Sequence, residues 1–132
     1  MWKDLGKPLI RAMNDRLQRS PVLAALGADR PVTVGKDEGT DDPVGIRTEL
    51  LSVRRWHSAT FDGQEHWVRV TVDTAPGEGD TARQAVIGLL HDADVLLPGH
   101  AVISITFETA ETDDRSTGGA CRIDFRVLTV SD

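Results

Sequence analysis

The side chains best suited to acid–base chemistry or metal binding in this sequence are its four histidines: His57, His66, His91 and His100. A zinc site needs several His, Cys or carboxylate ligands at short spacings. His91, Asp92 and Asp94 carry suitable atoms, but they follow a helical apolar stripe and no second ligand pair accompanies them. A solvated helix end is therefore the favoured interpretation of this cluster.

His57 and His66 lie on either side of Asp62-Gly63, a dipeptide that is typical of hairpin turns. The two histidines are thus expected to be diagonal neighbours across a hairpin, which is ordinary structure more often than a site. A hydrolase that uses one of them is a minor alternative. The sequence has no G-x-S-x-G nucleophile elbow and no phosphate-binding glycine loop. We therefore predict no catalytic residue, no cofactor and no metal.

Clustered acidic residues lie in two polar segments, residues 36–42 and 110–119, which we predict to be loops. A divalent cation site would need oxygens from further segments, so solvated acidic tips are favoured. Such loops bury too little apolar surface to fix themselves, so we expect them to be mobile in the free chain and ordered in an assembly. Their acids are candidates for an interaction surface: Asp37, Glu38, Asp41, Asp42, Glu111, Asp113 and Asp114.

The composition indicates one globular domain over residues 1–132. A net charge of −6 argues against a nucleic-acid binder, because gripping phosphates requires clustered Lys and Arg. The single cysteine, Cys121, excludes an internal disulfide, and its strand-like flanks predict a buried, unreactive thiol. No apolar stretch approaches the ~20 residues that cross a bilayer, and the first residues lack the apolar core of a signal peptide. We expect a cytoplasmic protein, unless it leaves within a larger particle.

Apolar residues at helical spacing predict two helices at the start of the chain. The first carries the stripe Leu5, Leu9, Met13 and Leu17. Ser20-Pro21 is a start signal for a second, short helix, because serine caps a helix and proline suits its first turn. The apolar side of that helix consists of Val22, Leu23 and Leu26, and Gly27 ends it.

A third helix is predicted after the Pro76-Gly77 turn. Asp80 or Thr81 is its expected N-cap, and Gln84 is placed to complete a capping box from Thr81. Its apolar face comprises Ala82, Ala85, Val86, Leu89, Leu90 and Ala93. We expect this face to cover the apolar residues of a sheet, among them Val70, Val72, Ile105 and Phe125.

Alternation of apolar and polar residues predicts the strands. The alternating apolar residues are Val68, Val70 and Val72, then Ile103, Ile105 and Phe107, then Cys121, Ile123, Phe125 and Val127. Residues 44–53 and 31–34 fit two further strands. Leu128 and Val130 change parity, which predicts a bulge or a second buried face. Together these elements predict an α+β fold, with helices on one face of a mostly antiparallel sheet.

Several segments of the chain resemble the tail-completion, or tail-terminator, family of long-tailed phages. The resemblance lies in Trp56-His57-Ser58, Gly63-Gln64-Glu65-His66, residues 68–72 and the small residues of 79–85. The ending at residues 118–127 and the end of the second helix at 23–28 are similar as well, whereas residues 36–42 depart from the pattern. The similarity is to the versions found in prophages and gene transfer agents of proteobacteria.

This resemblance implies a subunit of a hexameric ring at the head-proximal end of the tail tube. The ring would stop tube growth and contact the tail tube protein, further copies of itself and the head–tail connector or stopper protein. DNA would pass through its channel without specific binding, and the resemblance carries over no catalytic residue. The protein would reside in the virion tail, and in host cytoplasm during assembly.

Charge supports such a conduit, because an acidic wall repels phosphates; the acidic loop residues named above are its candidates. On the last predicted strand Arg122, Asp124 and Arg126 share one face, which makes them candidates for charged pairs across a subunit boundary. The alternatives are a head-completion or stopper protein of the neck, and a small-ligand-binding α+β regulatory module with a closed pocket.

Overall fold

A computed structural model describes residues 6–27, 45–57, 62–75, 77–93, 95–97, 100–115 and 118–131 of the chain. Its elements, in chain order, are α1 (Gly6–Gln18), α2 (Pro21–Gly27), β1 (Ile46–His57), β2 (Asp62–Thr74), α3 (Gly79–Leu90), β3 (Leu96–Leu97), β4 (His100–Arg115) and β5 (Gly118–Ser131). The strands form one antiparallel sheet in the order β1-β2-β5-β4-β3. The predicted α+β fold is confirmed. No helix in this part of the chain has the length and apolar character to cross a membrane.

The two N-terminal helices form where the sequence predicts them. Leu9, Met13 and Leu17 of α1 are fully buried, as the four-residue stripe requires. The Leu23 N–H donates to Ser20 Oγ at 3.3 Å, so Ser20 caps α2. One detail is wrong: Val22 is 51% exposed, because α2 is short and turns only Leu23 and Leu26 toward the core.

Helix α3 covers the sheet through Ala82, Val86 and Leu90, which are buried, while Ala85 and Leu89 are partly buried beside them. The predicted capping box is wrong. The helix begins at Gly79, and its N-cap, Glu78, makes no side-chain cap hydrogen bond. Asp80 and Thr81 therefore lie inside the first turn, where Asp80 accepts hydrogen bonds from Arg83 and Gln84 instead.

The core lies between the helices and one face of the central strands. Strands β2 and β5 pair over twelve residues, with Val70 opposite Ile123 and Val68 opposite Phe125. All four of these side chains are fully buried, which confirms the predicted alternation. Phe107 of β4 contacts Phe125 edge to face, with ring centroids 6.3 Å apart.

The predicted Asp62-Gly63 turn is wrong, because both residues belong to β2 and pair with His57 and Trp56 of β1. A Cβ on Gly63 would come within 2.3 Å of the Trp56 ring and 2.6 Å of the Thr129 carbonyl oxygen. Gly63 is thus required by close packing rather than by a turn. Strand β1, predicted over residues 44–53, runs on to His57.

The loop predicted over residues 110–119 is also wrong where the structure describes it. Residues 110–115 continue β4 and Gly118-Gly119 begin β5, with Arg115 opposite Gly118. Pairing with β5 supplies the backbone hydrogen bonds that a polar segment would otherwise take from water. The bulge predicted in β5 lies instead in β4, at the register shifts between Val102 and Ser104 and between Phe107 and Thr109. The predictions for residues 31–34 and 36–42 lie outside the described residues.

Two neighbouring leucines of α3 test the assigned core face. We expect Leu90→Ala to lower the free energy of unfolding by about 2–5 kcal/mol, because the side chain is fully buried and its removal leaves a cavity. Leu89→Ala should cost clearly less, since Leu89 is only partly buried. Urea unfolding of both variants checks the order. A larger loss for Leu89→Ala would reverse the assignment of the face.

Two glycines test the packing at the β1–β2 pair. Gly63→Ala should lower the free energy of unfolding by about 1–3 kcal/mol, because the added methyl group meets both a tryptophan ring and a backbone oxygen. Gly88→Ala in the last turn of α3 is the matched control, since nothing lies within 4 Å of a Cβ built there. It should raise stability by up to about 1 kcal/mol through helix propensity. Thermal unfolding measures both, and a neutral Gly63→Ala would contradict the close contact.

Candidate assembly surfaces

The two histidines whose side chains the structure describes, His66 and His91, have separate surroundings. His66 is fully buried on the helix side of β2, where its Nε2 lies 3.3 Å from Thr129 Oγ1. The predicted diagonal pair of His57 and His66 is wrong, because His57 is opposite Asp62, whereas His66 is opposite Val53, further back along β1. Among the described residues, no group of three or more His, Cys, Asp or Glu is placed to hold a metal ion.

His91 ends α3 and tethers it to the sheet. Its Nδ1 accepts the Phe107 N–H of β4 at 3.3 Å, and its Nε2 lies 3.4 Å from Asp92 Oδ2. The next N–H, that of Asp92, donates to the Ile105 carbonyl oxygen at 3.0 Å. The side chains of His91 and Asp92 are exposed. This geometry agrees with a solvated helix end, and it gives His91 a structural contact.

The sheet face opposite the helices carries a lattice of ion pairs. Arg69 of β2 makes two hydrogen bonds to Asp124 of β5, at 2.9 and 3.2 Å. The hydrogen bond that Arg69 donates to Asp124, and then the charge of Asp124, raise the pKa of the Arg69 guanidinium. This two-point contact fixes the relative position of the two central strands on their charged side.

Glu65 connects three strands within this lattice. Its side chain is only 13% exposed, and it accepts a hydrogen bond from Trp67 Nε1 at 3.3 Å. Its carboxylate also lies 3.5 Å from the Arg54 guanidinium and 3.7 Å from that of Arg126. Arg126 in turn lies 3.7 Å from Glu108 of β4. The row therefore runs from β1 across β2 and β5 to β4, and its charges are matched within the chain.

The residues predicted for an intersubunit strand lie in the middle of the sheet. Arg122, Asp124 and Arg126 belong to β5, whose backbone pairs with β2 on one side and β4 on the other. The backbone of β5 is thus already paired on both sides along most of its length, so it cannot pair with the backbone of a second copy. Contact of these side chains with a second copy stays a prediction, and the structure pairs them first within the chain, as in Arg122 to Glu111 at 2.6 Å.

Of the acidic residues predicted to form an interaction surface, three lie in β4 and four lie outside the described residues. Glu111 lies in β4 with an exposed side chain, and Asp113 and Asp114 follow it in the same strand, opposite Ala120 and Gly119. The remaining candidates, Asp37, Glu38, Asp41 and Asp42, lie outside the described residues. The three acids of β4 therefore belong to a strand rather than to a loop, and their mobility in the free chain stays a prediction.

A groove lies between the ends of the three helices, on the opposite side of the molecule from the charged face. It has a volume of about 680 Å³ and is lined by Ala12, Asp15, Arg16, Arg19, Ser20, Pro21, Val22, Leu89 and Val95. Arg16 Nε donates to the Leu89 carbonyl oxygen at 2.8 Å and so joins α1 to α3. The groove is open to solvent, and the described residues of its wall include no histidine or cysteine.

Sheet edges are the feature that the sequence patterns did not locate. Within the described residues β1 pairs with β2 alone, and β3 covers only the first residues of β4. Residues 109–115 of β4 pair with β5 on one side. Strand order decides which backbone groups are left at an edge, and no short-range pattern encodes it.

Comparison with known proteins gives a likeness of fold. No family model matches the chain, and no curated protein matches it. Among solved structures it is similar to a chain in the virion of a native gene transfer agent (GTA) particle, with 21% sequence identity and a TM-score of 0.66. The match covers 93% of this chain and 95% of that chain. The two chains therefore share their fold over almost their whole lengths.

Cys121 is buried in the core, as its sequence context predicts. Burial raises the pKa of its thiol to about 11, and a backbone hydrogen bond with Val72 only partly offsets this. At pH 8 about one thiol in a thousand would be ionised, and the thiolate is the reactive species. The group thus has the character of a small apolar core residue.

Alkylation tests the burial of Cys121. At pH 8 the native chain should react with iodoacetamide far more slowly than the chain in 8 M urea, since unfolding restores an ordinary thiol pKa and access. Mass spectrometry of samples quenched over time gives both rates. Equal rates in the two conditions would mean that the thiol is exposed and reactive.

Proposed function

We propose that this chain is a structural protein of a phage-type virion that ends the tail tube as a ring at its head-proximal end. The observation that carries the proposal is the fold shared with a chain of a gene transfer agent virion, over 93% of this chain and 95% of that one. The tail-terminator resemblance of the sequence extends over the same length and supplies the finer role.

The side-chain chemistry is consistent with a structural role. The histidine at the centre of the sheet packs in the core, and the one at the end of α3 holds a backbone N–H of β4. Cys121 is buried as a neutral thiol. We infer that the chain has no catalytic activity and that its partners are proteins: further copies of itself, the tail tube protein and the connector or stopper protein of the head.

Charge fits a channel through which DNA passes without being held. The net charge is −6, and four arginines of the helix-free sheet face are paired with carboxylates: Arg54, Arg69, Arg122 and Arg126. This pairing leaves fewer cations for phosphates. In the proposed ring the whole chain, residues 1–132, acts as one domain, and acidic residues line or flank the channel. The protein would be made in host cytoplasm and remain in the tail.

One observation favours a different class of function. The groove between α1, α2 and α3 has the volume of a small-ligand site. Its open shape and charged rim are less suited to enclosing a ligand than to contact with another protein. A head-completion or stopper role in the neck differs from the leading proposal only in position along the particle.

Electron cryomicroscopy of particles from the source, with and without the gene, tests this function. We expect one ring of this chain between the tail tube and the head connector. In its absence we expect tubes of uneven length that fail to join heads, and the wild-type gene supplied in trans should restore both. Copies on the connector side of the neck would indicate the stopper role. A lone copy, or copies along the full tube, would overturn the terminator proposal.

A further inference from the structure

Among the described residues, two segments of sheet edge remain once the pairing within the chain is counted. The first, here called the β1 edge, is the side of Ile46–His57 that faces away from β2. The second, the hairpin edge, is the side of residues 109–115 of β4 that faces away from β5. An unpaired edge offers a row of N–H and C=O groups to any other extended chain, so proteins normally cover or disrupt it.

The rest of β4 is protected in this way. β3 pairs with its first residues, His100 and Ala101. The two register shifts of β4, after Val102 and after Phe107, interrupt the regular ladder. Between them, the end of α3 takes up the Ile105 carbonyl oxygen and the Phe107 N–H. These devices stop at Phe107, so the regular stretch that no other described strand covers begins at Thr109.

The two edges carry opposite charge. The β1 edge holds Arg47, Arg54 and Arg55 against one acid, Glu49. The hairpin edge holds Glu111, Asp113 and Asp114 against one base, Arg115. Opposite charges across a strand pair stabilise it, and like charges directly opposite destabilise it. Pairing of a β1 edge with a hairpin edge is therefore favourable, and pairing of two β1 edges is unfavourable.

Strand direction fits the same contact. Each of the pairs β1–β2, β2–β5 and β5–β4 is antiparallel, so β4 runs opposite to β1. Copies related by rotation about an axis along the strands keep the same orientation. The β4 of one copy then meets the β1 of the next in antiparallel fashion, and the pattern of the sheet continues across the boundary. Head-to-tail contacts of this kind close into a ring when the rotation fits.

We propose that the β1 edge of one copy pairs with the hairpin edge of the next, and that the opposite charges of the two edges make the contact head-to-tail. The partner is a second copy of this chain, and the proposal rests on the ring proposed above. It names the strands that join neighbouring subunits and explains why β5, with its charges paired internally, is not one of them.

Charge reversal tests the direction of the contact. One variant carries Arg54→Glu and Arg55→Glu, which leaves both edges acidic, and the other carries Glu111→Arg and Asp113→Arg, which leaves both edges basic. We expect each variant alone to self-associate at least about tenfold more weakly than wild type, because like charges now meet. An equimolar mixture should regain association, since each edge then finds its opposite on the other variant.

The control is Lys7→Glu with Arg11→Glu, the same change of charge at exposed positions of α1. It should associate like wild type. Because Arg54 and Glu111 also form intrachain ion pairs, circular dichroism and thermal unfolding must first show that each variant is folded. Loss of association in the control, or no recovery in the mixture, would overturn the proposal.

Chemical trapping tests which edges touch. The test uses a chain with Arg55→Cys and Thr112→Cys, both exposed positions on the helix side of the sheet. This protein, at millimolar concentration, is treated with a short bismaleimide. We expect a ladder of cross-linked oligomers, with each link joining the two sites. The buried thiol of Cys121 should not compete. A control pair, Lys7→Cys with Gly88→Cys, lies on the helices and should give monomers.

The outcomes separate this contact from the proposed function. No ladder at millimolar concentration, links between two copies of the same site, or an equal ladder from the control pair would overturn the edge contact. If imaging still finds the chain as a ring at the tail end, the ring closes through another surface. If the ladder forms as expected but particles lack the chain in their tails, the contact stands and the terminator role fails.

Discussion

The apolar face of the β2–β5 strand pair has to be covered, and the placement of nearly every other element follows from this. Val68, Val70, Ile123 and Phe125 lie fully buried on that face. A sheet of this size buries only one face without a second layer, so the helices must share one side. Helix α3 packs on β2, β4 and β5, while α1 packs mainly on β1. Within the described residues, the opposite face carries the charged side chains of the sheet.

Local patterns predicted the parts of the fold that local physics decides. The four-residue stripe of α1, the Ser20 cap of α2 and the alternation of β2 and β5 each depend on neighbours within a few residues. The errors arose where distant residues decide. Gly63 is a glycine because Trp56 and the Thr129 carbonyl oxygen crowd its α-carbon, and Asp62-Gly63 resembles a turn only when those residues are ignored. Residues 110–115 are polar, yet pairing with β5 makes them a strand.

The same limit applies to the assembly surfaces. The charges of Arg122, Asp124 and Arg126 were visible in the sequence, but their position in the sheet was not. Because β5 crosses back between β2 and β4, the last strand of the chain is central rather than peripheral. Its charged side chains therefore find partners such as Arg69 and Glu111 within the chain. Strand order, which depends on long-range contacts, decides whether a charged strand is free for a second subunit.

The charged residues of the sheet are distributed differently in its middle and at its two edges. On the helix-free face the charges of the two central strands, Arg69, Asp124 and Arg126, are paired, so the middle of this face offers little net charge to a partner. At the edges the charges are segregated, with bases on β1 and acids on β4. Because the two edges differ in charge, contact between unlike edges of two copies is favoured over contact between like edges. A subunit of the ring proposed above would need two unlike ends, and one antiparallel sheet with an even number of long strands can supply them.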